Sequence, residues 1–158
     1  MSLFLGTHQN RLDVKGRVSV PASFRSALRQ RQAKENHPLI FRPSHKMACI
    51  EGWPYEIFSE LTNSLDTMDV FSEEHGDIAT TLYAEAWPIE PDKEGRILLP
   101  DHLKEHANLT DTVTFMGLGT IFQIWEPSAA LERCKSARQN LQKTPLSIPP
   151  IKTRREQP

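Results

Sequence analysis

Apolar and polar positions recur along this chain with short periods, and each change of period marks an element. Arg17-Val18-Ser19-Val20 alternates polar with apolar, as a half-buried strand does. Pro21 ends that run and suits the first turn of a helix, in which Phe24 and Leu28, four apart, share one face. A strand-like run follows at Met47 to Ile50, ahead of Pro54. Val113 to Met116 and Ile121 to Trp125, joined through Gly117-Leu118-Gly119, predict a β-hairpin. Ile57, Phe58, Leu61 and Leu65 form a helical stripe after Pro54, and Ala130, Leu131, Cys134, Ala137 and Leu141 form a longer one after Pro127. A third helical stretch, Glu73 to Tyr83, carries Ile78 and Leu82. No apolar run approaches the ~20 residues that a membrane span needs.

The pattern occurs twice. Leu12-Asp13-Val14-Lys15-Gly16-Arg17-Val18-Ser19-Val20-Pro21 is echoed by Pro91-Asp92-Lys93-Glu94-Gly95-Arg96-Ile97-Leu98-Leu99-Pro100, on the shared frame Asp-x-x-Gly-Arg-x-x-x-Pro. Phe24 and Leu28 stand after the first proline as Leu103 and Ala107 stand after the second. Each copy reads as β–turn–β–helix–β. The expected organisation is a half-domain over residues 5–54, connecting helices over 55–82, a second half-domain over 83–127, a C-terminal helix over 128–142 and a disordered basic tail over 143–158.

Charge changes this picture because it is segregated. The net charge is −1, yet residues 1–46 sum to +7, 47–92 to −11, 93–128 to −2 and 129–158 to +5. One region is therefore suited to a polyanion and another to staying clear of it, although solvated faces or head-to-tail attraction between subunits would also segregate charge. The two cysteines, Cys49 and Cys134, make neither a disulfide framework nor a zinc cage and are expected to be small core hydrophobes in a reducing compartment. The start, Met-Ser-Leu-Phe-Leu-Gly, has no basic segment before an apolar one and is not expected to be a signal peptide.

The candidate chemistry lies in the repeated turns. Asp13 and Asp92 occupy the first position of a type I turn, and Gly16 and Gly95 the fourth. Lys15, Arg17, Lys93 and Arg96 place cations at the two tips, and Arg11 precedes the first. Glycine lets a backbone approach a phosphate, arginine offers a fork for guanine O6 and N7, and lysine is a phosphate point charge. The expected roles are base reading by Arg17 and Arg96, phosphate contact by Lys15 and Lys93, and orientation of the loops by Asp13 and Asp92. The alternative is an Asp–Arg ion pair that only ties a hairpin together, worth about 0–1 kcal/mol when exposed. Both can hold.

These residues carry a resemblance. The two halves resemble the SpoVT–AbrB type DNA-binding β-barrel, and residues 3–142 are similar to the MraZ family of transcription regulators. The carriers are the loops Asp13 to Arg17 and Asp92 to Arg96, the start Phe4-Leu5-Gly6, the strand-to-helix runs ending in Pro21 and Pro100, and Ile124-Trp125-Glu126. The resemblance implies an α+β, mainly β chain: a swapped-hairpin AbrB-type barrel of two pseudo-symmetric half-domains, with connecting and C-terminal helices. It implies ring-like homo-oligomers whose loops read direct repeats in double-stranded DNA at the promoter of the division and cell-wall gene cluster. It implies a cytoplasmic, nucleoid-associated, non-enzymatic protein without a cofactor or small-molecule substrate. The chain departs from the pattern in its acidic connecting helix (Glu73, Glu74, Asp77) and in Glu94 at the second tip, which makes the first loop the stronger expected contact.

Other features weigh less. His102-Leu103-Lys104-Glu105-His106 spells a zinc-protease pattern, but the first repeat has no histidine at the equivalent places, and solvated helix histidines are expected. There is no Gly-Ser pair for the self-cleavage of pyruvoyl enzymes on related barrels, no P-loop and no nucleophile elbow. Trp53, Trp87 and Trp125 are expected to pack at the barrel rim or between subunits rather than stack on bases. A scaffolding barrel assembling through charged faces, or an antitoxin-like barrel with a protein partner, are the competing functions.

Overall fold

The structure is a computed structural model that describes residues 2–31, 38–144 and 147–150. The expected tail from residue 143 falls largely outside them. In chain order the elements are β1 (Thr7–Arg11), β2 (Arg17–Ser19), α1 (Ala22–Arg31), β3 (Leu39–Pro43), β4 (Ile50–Pro54), α2 (Tyr55–Leu65) and α3 (Glu73–Ala79). A π-helical turn, Thr80–Ala84, follows, then β5 (Trp87–Ile89), β6 (Arg96–Leu98), α4 (Asp101–His106), β7 (Thr112–Gly117), β8 (Phe122–Trp125) and α5 (Pro127–Lys143). None of the described helices is long and apolar enough to cross a membrane.

The expected α+β class holds. Six strands form one antiparallel sheet in the order β1-β7-β8-β4-β3-β5, and β2 pairs with β6 in a separate ribbon. That order is unchanged when first-repeat strands are exchanged with their second-repeat counterparts. The first strand of each repeat is given to the other: β1 pairs with β7, and β5 pairs with β3. Neither repeat completes its own sheet, so the halves share one core.

Sheet and ribbon close on that core from opposite sides. Val18 and Val20 from the β2 side, Ile97 and Leu99 from the β6 side, and Leu39, Phe41, Val113, Phe115, Phe122 and Ile124 from the sheet are all buried in one cluster. Phe24 from α1 enters it as the stripe predicts, with its ring 5.2 Å from Phe4 and 5.3 Å from Phe122. Leu28, Leu103 and Ala107 are buried beside it. Aromatic edges at such distances contribute about 0.5–1.5 kcal/mol per pair beyond the area they bury.

Three local expectations are corrected. The strand placed at Met47 to Ile50 begins only at Ile50, and an additional strand, β3, precedes it. Strand β3 was hidden because Arg42 interrupts its apolar run, yet Arg42 is 1% exposed. Its charge is met by Glu51 across the β3–β4 pair at 2.5 Å, and it donates to the Thr81 carbonyl of the π-helical turn at 3.2 Å. Third, the apolar stripe of α5 does not enter the core as a whole. Ala130 is buried, while Leu131 is 73% exposed, Leu141 56% exposed, and Cys134 lies in the open. Cys49 is the core hydrophobe expected, and burial pushes its thiol up to about 12. Among the tryptophans, Trp125 is buried and donates to Gln123, Trp53 packs edge-on to Phe58, and Trp87 lies 5.5 Å from His102.

Candidate nucleic-acid interface

Each repeat forms the predicted turn. The Gly16 amide donates to the Asp13 carbonyl at 3.0 Å, and the Asp13 amide donates to the Arg17 carbonyl at 3.0 Å. The second loop has the same bonds at 3.0 and 2.8 Å, from Gly95 to Asp92 and from Asp92 to Arg96. Gly16 and Gly95 adopt φ of +86° and +78°, a left-handed conformation that glycine enters without steric cost. The aspartates fasten the turns. Asp13 Oδ1 accepts from the amides of Lys15 and Arg17, and Oδ2 accepts from Arg17 Nε at 2.8 Å. Asp92 accepts from the amides of Glu94 and Arg96 and from Arg96 Nε at 3.0 Å. The backbone amide of Arg17 is the main reason that the Asp13 carboxyl is held below its ordinary 3.8, and the amide of Arg96 acts in the same way on Asp92.

Fastening by Nε has a useful consequence. Arg17 has no hydrogen-bond partner for Nη1 or Nη2 among the described residues, and its side chain is 39% exposed. The guanidinium is thus oriented by Asp13 while its outer edge is presented outward. Arg96 is held more tightly, because Glu94 also takes its Nη2 at 3.1 Å. Lys15, exposed at the first tip, stands where Glu94 stands in the second. The two loops share a backbone and differ in the freedom of their arginines.

The sequence-predicted residues gather at the two turns. Lys15, Gly16 and Arg17 lie in the first, and Lys93, Gly95 and Arg96 in the second. Arg11 lies exposed at the end of β1, opposite Thr112. The ribbon β2–β6 ties the turns together, with Leu99 donating to the Gly16 carbonyl at 2.8 Å and Val20 donating to the Gly95 carbonyl at 2.9 Å. The histidines of the zinc-like pattern point to other tasks: His106 Nε2 is 3.0 Å from the Met47 carbonyl, and His102 lies against Trp87. No group of three or more ligating side chains placed to hold a metal ion occurs among the described residues.

Two cations escaped the sequence reading. Arg25 of α1 crosses to the second loop, donating from Nη1 to the Glu94 carbonyl at 3.2 Å and lying against the face of Gly95. Lys104 of α4 crosses to the first, where a Cβ on Gly16 would meet its Nζ at 3.0 Å. Each helix therefore supports the other repeat's turn. The signal was present, since Arg25 and Lys104 stand four residues after Pro21 and Pro100, but only the fold shows that they cross.

The comparisons with known proteins agree with the repeat. A family profile described as "MraZ protein, putative antitoxin-like" matches residues 3–79 and 82–133. A protein of Gluconacetobacter diazotrophicus named transcriptional regulator MraZ is 61% identical over 138 residues, covering 87% of each chain. One of the same name from Gluconobacter oxydans is 60% identical over 139 residues, covering 87% of this chain and 84% of its own. Another, from Parvibaculum lavamentivorans, is 40% identical over 157 residues, covering 95% and 96%. The profile match over residues 3–79 and 82–133 and relatives as much as 61% identical over most of both chains make this chain a member of the MraZ family.

Proposed function

We propose that this protein is a cytoplasmic, nucleoid-associated transcription regulator that binds double-stranded DNA through its two Asp-x-x-x-Arg turns. Its relatives are named transcriptional regulators. The observation that carries the reading is the state of Arg17: Asp13 grips Nε and leaves both terminal nitrogens without a partner among the described residues. A guanidinium so held is pre-organised for a bidentate contact to a guanine edge, worth about 1–3 kcal/mol of discrimination. In this reading Lys15 and Lys93 hold phosphates, Arg11 adds charge at the end of β1, and Arg96 is the weaker reader because Glu94 occupies part of it.

The operator in this reading is a set of direct repeats in the promoter of a division and cell-wall gene cluster, engaged by a ring-like homo-oligomer. One turn reaches only a few base pairs, whereas specific sites must gain about 4–10 kcal/mol over non-specific DNA. Several protomers related by rotation supply that difference through avidity and favour direct repeats over a palindrome. The test is a gel shift on DNA from the chain's own upstream promoter, with unrelated duplex as competitor. Retarded complexes that survive the competitor are expected; their absence at protein concentrations where the fold is intact would remove DNA binding from the assignment.

A further inference from the structure

The two turns are backed by grooves of equivalent position and opposite chemistry. Behind the second turn, a groove of about 230 Å³ lies between α1 and the loop, and Arg25, Arg29 and Lys93 line it together with Asp92 and Gly95. Asp92 is already engaged by Arg96 and by two amides, so it leaves the three cations largely uncompensated. Arg25 Nε is buried against Gly95 at the groove's edge, without a hydrogen-bond partner among the described residues. Leaving such a donor unsatisfied is costly, and a charged donor more so.

The counterpart behind the first turn shows what the groove would be without these cations. Lys104 stands at the place of Arg25, Asn108 at that of Arg29 and Val14 at that of Lys93. Lys104 is paired with Asp101 at 3.0 Å, and Glu105 adds a second carboxylate to the wall. In α1 the places of Asp101 and Glu105 are taken by Ala22 and Ser26. One repeat has thus gained cations and lost carboxylates on the same scaffold.

We propose that Arg25, Arg29 and Lys93 form a phosphate-binding groove behind the second turn. Guanidinium forks match phosphate oxygens, and Lys93 adds a point charge from the loop side. The phosphate comes from the DNA backbone or from a free phosphorylated molecule, and the first source rests on the DNA-binding reading above. The repeats then divide the work. The first turn, with its free Arg17, reads a base edge, and the second, with Arg96 partly occupied by Glu94, anchors the phosphate backbone.

The experiment uses the full chain with Arg29→Gln and Lys93→Gln, both exposed positions, each checked by thermal unfolding. Affinity for operator and for scrambled duplex is measured over a series of salt concentrations, and binding of inorganic phosphate is measured by calorimetry. If the groove holds the DNA backbone, each variant weakens both duplexes by the same factor and lowers the log–log salt slope by about 0.9 for each engaged protomer; near 0.1 M salt that is a loss of about eightfold per protomer. If it holds a free phosphate, wild type binds inorganic phosphate, Arg29→Gln abolishes this, and the DNA affinity of Arg29→Gln is that of wild type. Weakening of the operator alone, or no change in either arm, overturns the groove. A wild type that binds no DNA would remove the DNA reading, and the phosphate arm would still decide the groove: binding that Arg29→Gln abolishes supports it, and no binding overturns it.

Discussion

Val18 faces Ile97 directly across the β2–β6 ribbon, and the two are the same position of the two repeats. The pseudo-two-fold axis therefore passes through this pair. Both side chains are 1% exposed, so the axis runs through the core. The flanking bonds, Leu99 to Gly16 and Val20 to Gly95, are images of each other about it. The two turns are held at a fixed mutual orientation by apolar packing, independently of any DNA.

Arg17→Ala is expected to abolish operator preference while leaving the thermal midpoint nearly unchanged, since the Arg17–Asp13 pair is over a third exposed and is screened by solvent. Arg96→Ala is expected to cost less affinity. Glu94→Ala, which removes the acceptor on Nη2 of Arg96, is expected to raise affinity. Competition binding on operator and scrambled duplex measures all three, and a loss for Arg96→Ala as large as that for Arg17→Ala would contradict the unequal roles of the loops.

Gly95→Ala is expected to destabilise the chain by about 1–2 kcal/mol from the left-handed backbone alone. A Cβ there would also collide with the Arg25 side chain and displace it from the loop. Gly16→Ala meets the same backbone cost, and its Cβ would lie 3.2 Å from the Leu99 carbonyl. Urea unfolding tests both, and an unshifted midpoint in either variant would show that the turn tolerates another conformation.

Acid should loosen the turns. The carboxyls of Asp13 and Asp92 are held below the ordinary 3.8, chiefly by the amides of Arg17 and Arg96. A folded value below the unfolded one means that the stabilisation is complete above the ordinary value and is lost as pH falls through the depressed one. The double variant Asp13→Asn/Asp92→Asn is expected to show a shallower loss of stability below about pH 4 than wild type. Circular dichroism melts across that range provide the check, with superimposable acid limbs as the contrary result.

Binding should depend on the phase of the operator repeats. Neighbouring protomers reach the same DNA face when sites recur about every ~10 base pairs. Inserting about five base pairs turns one site to the far side, and a large loss of affinity is expected there, followed by recovery on inserting a full turn. Equal affinity for all three spacings would mean that each protomer binds alone.

The sequence by itself determined the repeat, the turns and the inward faces of α1 and α4, because these depend on short-range chemistry. Asp at the first and Gly at the fourth position specify a turn whatever surrounds it, and Phe24 with Leu28 define a face by helical period alone. The tertiary structure decided which repeat completes which. Hydrogen bonds between β1 and β7 join residues about a hundred positions apart, and no local period encodes such a partner. It also decided that Arg42 is buried, since its tolerance depends on Glu51 across the β3–β4 pair, and that Leu131, Cys134 and Leu141 stay outside. The crossing of Arg25 and Lys104 to opposite turns belongs to the same class. A cation acts where space puts it, and only the exchange of first strands between the repeats puts each of these against the other's loop.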